Sequence, residues 1–319
     1  MTSNEKDLLD MKESGMIDQA AFDAMWKELH ADEDTSSGSA KNFSGLVTET
    51  LPAYGTQAAD KETIPPVKGM KIISGAYSAK GIREQNEDSF FLGTIAGGAK
   101  DPDTASYNIE GDGPFFFAAA DGMGGHDAGD VASSFVVNKL KQNVSSISSQ
   151  IDDGIIEGIL KTIHSELLAE AGKRGTPKMG STISGIILQT GNSGFFNAGD
   201  SRVYRLRHNY IQQISEDDSL SRFVPGAAKN IITNAVGAGQ ENMSVASRFS
   251  SGFAVDGDVF LMCSDGVHSV VSDDDMAIIL SLNDSPQDIA RIIVERAIKN
   301  NSDDNCTAVV VKYSEQKGS

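Results

Sequence analysis

Asp121-Gly122-Met123-Gly124-Gly125 follows the apolar run Phe115–Ala120. An acid and a glycine loop therefore stand where a buried strand should end. A carboxylate there can hold a hard cation at the rim of a core, and glycines let backbone and ligand approach closely. An Asp-Gly pair after a strand also reads as an ordinary turn, so its company along the chain decides. Three more acidic motifs sit at strand boundaries. Arg83-Glu84-Gln85-Asn86-Glu87-Asp88 enters a strand, Ser264-Asp265-Gly266 follows the apolar run Val259–Cys263, and Asp303-Asp304-Asn305-Cys306-Thr307 enters the last strand.

Strand ends in one layer can converge on one rim. Carboxylates gathered there would repel and raise one another's pKa unless a cation sat between them. Oxygen ligands with no Cys or His at metal-binding spacing favour Mg²⁺ or Mn²⁺ over zinc. The plainer reading is that all four motifs are loop acids in an acidic protein. Arg83 also has two readings, an ion pair with Glu87 at i+4 or a fork that grips phosphate. Gly199-Asp200-Ser201-Arg202 reads either as a tight turn or as a further metal-binding acid.

Strands must carry these motifs. Short runs rich in β-branched and aromatic residues predict strands at 70–77, 88–93, 115–120, 182–189, 194–198, 202–207, 258–264 and 306–313. Helices are predicted at 127–147, 152–171, 273–282 and 286–299. Ile155, Ile156, Ile159, Leu160, Ile163 and Leu167 form a stripe at helical spacing, and Ser285-Pro286 reads as N-cap then N1. Two helices in the middle and two near the end, with strands in runs between, give an α+β class with mostly antiparallel strands and outer helices.

The chain has 319 residues, 39% hydrophobic and 23% charged, with a formal net charge of −18. That excess of acid repels nucleic acid and anionic membrane surfaces. No apolar run approaches the ~18 residues of a membrane span. The N-terminus is polar and acidic, unlike a secretory signal. Cys263 and Cys306 lie in apolar runs and read as buried free thiols of a reducing compartment, so a cytoplasmic location is expected.

Residues 1–34 read as a helical hairpin appendage, with Ala21, Phe22, Met25, Trp26 and Leu29 at helical spacing in its second half. Residues 35–67 read as a flexible linker closed by Pro65-Pro66, and 68–315 as the main domain. The appendage resembles the short helical-hairpin (SHOCT-like) module at the ends of many bacterial proteins.

The main domain resembles a type 2C metal-dependent protein serine/threonine phosphatase (the PPM family) in its bacterial form. The matching stretches are Lys80-Gly81 with Arg83 to Asp88, the Asp121–Gly125 loop, Met179-Gly180-Ser181-Thr182, Gly199-Asp200-Ser201-Arg202, Ile232 to Gly237, Ser264-Asp265-Gly266-Val267 and Asp304-Asn305. The resemblance implies a four-layer α-β-β-α sandwich with a dinuclear Mn²⁺ or Mg²⁺ site at one end. Asp121 would bridge the two ions and the Gly122 carbonyl would ligate one. Asp265 and Asp304 would complete the other, with Glu87 and Asp88 acting partly through water. Asp200 would help bind a third, weaker ion, and Arg83 would grip the phosphate. A bridging hydroxide would attack phosphorus directly, without a phosphoenzyme. Substrates would be phosphorylated proteins, opposed by a cognate Ser/Thr kinase. Part of 209–255 would be a flap, with Ser219, Arg222 and Phe223 near substrate and Asp217 or Asp218 assisting.

One departure concerns the leaving-group acid. Eukaryotic relatives carry histidine after the Asp-Gly pair, whereas this chain has Met123, as bacterial relatives do. His126 reads as an exposed loop residue, and a metal-bound water is the more economical donor. The rival to an active phosphatase is a catalytically silent module that keeps the fold for regulated docking. Such modules usually lose metal-site acids, which this chain retains.

Overall fold

A strand that is apolar at nearly every position must be covered on both faces. Predicted strands of this kind build the core of the described region, in a computed structural model that describes residues 69–98, 100–124, 128–145, 147, 150–222 and 231–316. The hairpin expected at 1–34, the linker expected at 35–67, His126 and Phe223 lie outside the described residues. The strands are β1 (Met70–Ala79), β2 (Asp88–Leu92), β3 (Ile95–Gly97), β4 (Asp103–Gly111), β5 (Phe115–Met123), β6 (Gly180–Ser181) and β7 (Ile183–Leu188). They continue with β8 (Ser193–Ala198), β9 (Arg202–Arg207), β10 (Tyr210–Gln213), β11 (Val236–Gly237), β12 (Ala246–Ser250), β13 (Val259–Cys263) and β14 (Cys306–Glu315).

Two sheets result. One has the order β10-β9-β13-β14-β1-β4. The other runs β11-β6-β5-β7-β8-β12, with β2 paired to β5 and β3 paired to β2. The pairings are antiparallel. Alternate residues of each central strand serve different layers. In β5, Phe117 and Ala119 face the space between the sheets, while Phe116, Ala118 and Ala120 join the helix-side core. In β14, Val309 and Val311 face inward and Ala308 and Val310 face helices.

Helices α1 (Gly129–Val144) and α2 (Asp153–Arg174) cover the second sheet through Val136, Leu140, Ile156, Leu160, Ile163 and Leu167. Helices α3 (Asp265–His268), α4 (Asp273–Leu280) and α5 (Pro286–Lys299) cover the first through Val267, Met276, Ile279, Ile289 and Ile293. The fold is therefore the expected α-β-β-α sandwich. Ser285 caps α5 by accepting from Asp288 N, with Pro286 in the first turn. Asp152 caps α2, and Gly175 ends it in the left-handed conformation. Ile155 departs from the expected stripe; it is exposed, and the buried set is Ile156, Leu160, Ile163 and Leu167. The two cysteines are free and buried.

Candidate metal and phosphate site

Both sheets deliver acids to the same end of the sandwich. Asp88 opens β2 and is the register partner of Asp121 near the end of β5, so antiparallel pairing sets these two carboxylates side by side. Asp265 opens α3 directly after β13, and Asp304 stands two residues before β14. β13 and β14 are register partners from Cys263↔Ala308 onward, so Asp265 and Asp304 leave the same end of the first sheet. A bond crosses between the layers: Ser264 Oγ donates to Asp88 Oδ2 at 2.7 Å. The same hydroxyl accepts from Thr307 N at 3.0 Å.

Backbone ties fix the four loops. Asp121 N donates to Thr182 Oγ1 at 2.9 Å, and Thr182 N returns a bond to Asp121 O at 2.8 Å. Gly122 N donates to Glu87 O at 3.1 Å. Gly122 is wedged so closely that a methyl there would overlap the carbonyl of Gly129. The Glu87 side chain lies against Gly129 at the start of α1. Asn305 acts as a stitch: its Oδ1 accepts from Glu87 N at 2.8 Å, and its Nδ2 donates to Lys80 O and Gln85 O. These bonds hold the 80–87 loop against the start of β14.

Arg83 does not pair with Glu87. Its Nη2 donates to Asp304 Oδ2 at 2.8 Å and its Nε to Asp303 O at 2.7 Å. The side chain is half exposed, so a fixed positive charge stands at the mouth of the acidic cleft. Asp200 sits in the turn between β8 and β9, nearly buried, with Gly199 at φ +114°. Turn and site readings thus describe the same residues. His268 Nε2 is 2.9 Å from Asp200 O and donates to it. Burial and Arg202 push the His268 imidazole down to about 4, which leaves it neutral at pH 7.

The electrostatics are those of acids confined without countercharge. Burial, then Asp265 and Asp304, push Asp88 up to about 7. Burial and Asp88, Asp265, Asp200 and Asp304 push Asp121 well above the carboxylate range. Burial and Asp265 raise Asp200 to about 7, burial and Asp304 raise Asp265, and burial with Asp130 raises Glu87. Asp88 Oδ1, Asp200 Oδ1 and Asp265 Oδ1 are buried with no hydrogen-bond partner. Buried, unpaired carboxylate oxygens on acids close enough to raise one another's pKa fit hard cations, and the donor set is oxygen only. Among the described residues no three His, Cys, Asp or Glu side chains form a ready-made coordination cluster. The fit therefore rests on the orphaned oxygens and their shared charge.

Sequence reasoning named Asp88, Asp121, Asp200, Asp265 and Arg83 but gave no part to Ser264, Thr182, Asn305 or His268. Their signal was present, since each lies within or beside a matched motif. Their partners in the site are long-range, from 61 to 220 residues away along the chain.

Comparison with known proteins shows the family of the chain. A family profile described as Protein phosphatase 2C matches residues 93–298. That range holds Asp121, Gly122, Asp200 and Asp265, while Arg83, Glu87, Asp88 and Asp304 fall outside it. The chain is 30% identical over 244 residues to the serine/threonine protein phosphatase PstP of Mycobacterium tuberculosis, covering 72% of this chain and 42% of that protein. It thus spans less than half the length of that relative. It is 28% identical over 217 residues to the serine/threonine phosphatase stp of Listeria monocytogenes, covering 62% of this chain and 85% of that one. Among solved structures, PppA, a regulatory component of T6SS in Pseudomonas aeruginosa, matches with a TM-score of 0.63 at 30% identity, covering 77% and 98%. The catalytic domain of PstP in complex with two manganese ions matches with a TM-score of 0.62 at 26% identity, covering 77% and 99%.

Proposed function

The chain belongs to the protein phosphatase 2C family, and from that premise we propose that it is a metal-dependent phosphatase acting on phosphoserine and phosphothreonine in proteins. The observation that carries the reading is the convergence of Asp88, Asp121 and Asp265 from two sheets, with buried carboxylate oxygens left unpartnered. Asp121 and the Gly122 carbonyl, with Asp265, Asp304, Glu87 and Asp88, would hold two Mn²⁺ or Mg²⁺ ions. Asp200 would serve a third, weaker one. When bound, such ions lower the pKa of a water and draw charge from phosphoryl oxygens.

The chain's own side chains have separate tasks. Arg83, anchored through Nε and Nη2, offers fixed positive charge to the phosphate and to the charge that grows on it during transfer. Ser264 and Thr182 hold Asp88 and the Asp121 backbone in place. Neither cysteine is equipped as a nucleophile. Cys263 is fully buried with its thiol pushed far up, and burial lifts Cys306 to about 12. Met123 has no proton to give a leaving group. A cytoplasmic protein paired with a Ser/Thr kinase suits this chemistry. Among the described residues no helix is long and apolar enough to cross a membrane.

The test is phosphate release from a synthetic phosphothreonine peptide with Mn²⁺, comparing wild type with Asp121→Asn and Asp265→Asn. Mn²⁺-dependent turnover by wild type, lost in both folded variants, is expected. Wild type that binds Mn²⁺ yet releases no phosphate would refute the activity, and variants near full activity would refute the site.

A further inference from the structure

The turn that carries Asp200 is where the chain crosses from one sheet to the other, from β8 to β9. Three successive carbonyls of that turn each have a side-chain donor. Gly199 O accepts from Asn197 Nδ2 at 3.0 Å, Asp200 O from His268 Nε2 at 2.9 Å, and Ser201 O from Ser184 Oγ. A carbonyl can only accept, so Nε2 carries the imidazole proton. Asn197 and Ser184 belong to β8 and β7 of the second sheet. Of the three donors, only His268 comes from the other side of the sandwich, on α3.

α3 is one turn long, and Asp265 and His268 are its first and last residues. Backbone and side-chain bonds fix its span. Ser269 N donates to Asp265 O at 2.9 Å, Val267 N to Ser264 O at 3.1 Å, and Ser302 Oγ to Gly266 O at 2.7 Å. β13 and β9 pair antiparallel with Cys263 opposite Arg202. Asp265 lies two residues beyond Cys263 and Asp200 two residues before Arg202, so the two acids leave the same end of neighbouring strands. After burial, Asp265 is what raises Asp200 most, and each acid has one oxygen buried without a partner. The short helix thus carries one of these acids itself and grips the backbone of the other.

Resting on the phosphatase reading and its outlying ion, we propose that His268 is a positioning residue that sets the distance between Asp200 and Asp265. Its imidazole donates to a backbone carbonyl and ligates nothing. By holding the Asp200 peptide it holds the Asp200 carboxylate near Asp265. Without the bond, Asn197 and Ser184 still tie the turn to the second sheet, while this tie to the helix that begins at Asp265 is lost. The central pair of ions, assigned to Asp121, Gly122, Asp265 and Asp304, does not depend on that tie. The outlying ion at Asp200 does.

The test is a Mn²⁺ titration of the full chain, with free Mn²⁺ read by electron paramagnetic resonance so that binding is counted without turnover. Wild type is expected to show a tight pair and a weaker ion, and Asp200→Asn to lose the weaker one. His268→Ala should weaken that ion about tenfold and leave the tight pair within about twofold. His268→Gln, whose amide can donate from a similar reach, should restore most of the loss. The double variant of His268→Ala with Asp200→Asn should bind no less than Asp200→Asn alone. Equal weakening of both classes in step with lost thermal stability would overturn the proposal, as would a loss that His268→Gln fails to reduce. A weaker ion lost in Asp200→Asn yet unchanged in His268→Ala would overturn the role of His268 alone. A wild type with no weaker ion, or a weaker ion that survives Asp200→Asn, would overturn the outlying site and the role of His268 with it. The phosphatase reading stands or falls separately, on phosphate release from the phosphothreonine peptide.

Discussion

Asp88 should make the metal-free protein less stable than it needs to be, and Asp88→Asn should reveal by how much. The side chain is 1% exposed, with one oxygen bonded to Ser264 and the other unpartnered. Its carboxyl stands at about 7 in the folded protein against 3.8 ordinarily. The folded state therefore binds this proton more tightly than the unfolded chain. Below about pH 4 both states are protonated and the group is neutral to stability. As pH rises from about 4 to about 7 stability falls, and above that the full penalty is present. About three pKa units correspond to a ceiling of roughly 4 kcal/mol. Relaxation and water entry reduce this to about 1–3 kcal/mol. Asparagine has no charge to bury, and its amide oxygen can still accept from Ser264. In chelator at pH 8, urea unfolding followed by circular dichroism should show the variant more stable by about 1–3 kcal/mol, and by roughly half that at pH 5.5. Saturating Mn²⁺ should invert the order, because a ligand at a hundred times its Kd adds about 2.7 kcal/mol to wild type and little to the variant. A variant less stable than wild type in chelator at pH 8, or a difference independent of pH, would refute the reasoning.

Three further outcomes are expected. Arg83→Lys keeps the charge but loses the fork, so kcat/KM for a phosphopeptide should fall about 10- to 100-fold with unfolding unchanged; near wild-type kinetics would exclude phosphate binding by Arg83. Gly122→Ala places a methyl into the Gly129 carbonyl. It should abolish Mn²⁺-dependent turnover and the thermal shift that Mn²⁺ gives wild type, and retention of both would show that this approach is not tight. Arg207→Ala leaves Asp258, 1% exposed, with its charge unpaired inside the far end of the first sheet. Urea unfolding should show a loss of about 3 kcal/mol while kcat and KM stay at wild-type values, and equal stability would mean that the pair is solvated.

The buried strands were legible because burial on both faces leaves a continuous apolar run, as in Val259–Cys263. The edge strands were not. Asp103–Gly111 alternates exposed and half-exposed residues and contains Asp, Asn, Glu and Gly, which disfavour strand locally. Nine consecutive partners on β1 make it a strand regardless. β10 and β12 were missed for the same reason, being half-exposed and held by one neighbour. For the site, strand ends were visible but register was not. Nothing local says that Asp88 stands opposite Asp121, or that Arg83 reaches past Glu87 to Asp304. Asp217 and Asp218 look equivalent in sequence and separate only through their distant partners, Arg202 and Gly199.

The two-sheet architecture explains how this cost is sustained. A single sheet would present its strand-end acids along one edge, open to water and at ordinary pKa. Here Asp88 and Asp121 come from one sheet and Asp265 and Asp304 from the other, and sheets stack about 10 Å apart. Acids at the ends of both layers therefore lie at the same end of the sandwich, where the cations proposed above would be shared between them. The spacing of the sheets is held on both sides of the site. Phe90, Phe117, Phe260 and Met262 fill the space between the sheets behind the site, and the Ser264–Asp88 bond closes it in front. A truncation in that inner layer, such as Phe260→Ala, lets the sheets shift where no ligand sits. It should weaken Mn²⁺ binding beyond what its loss of folding stability alone accounts for, because the cleft's width is the quantity the inner layer controls.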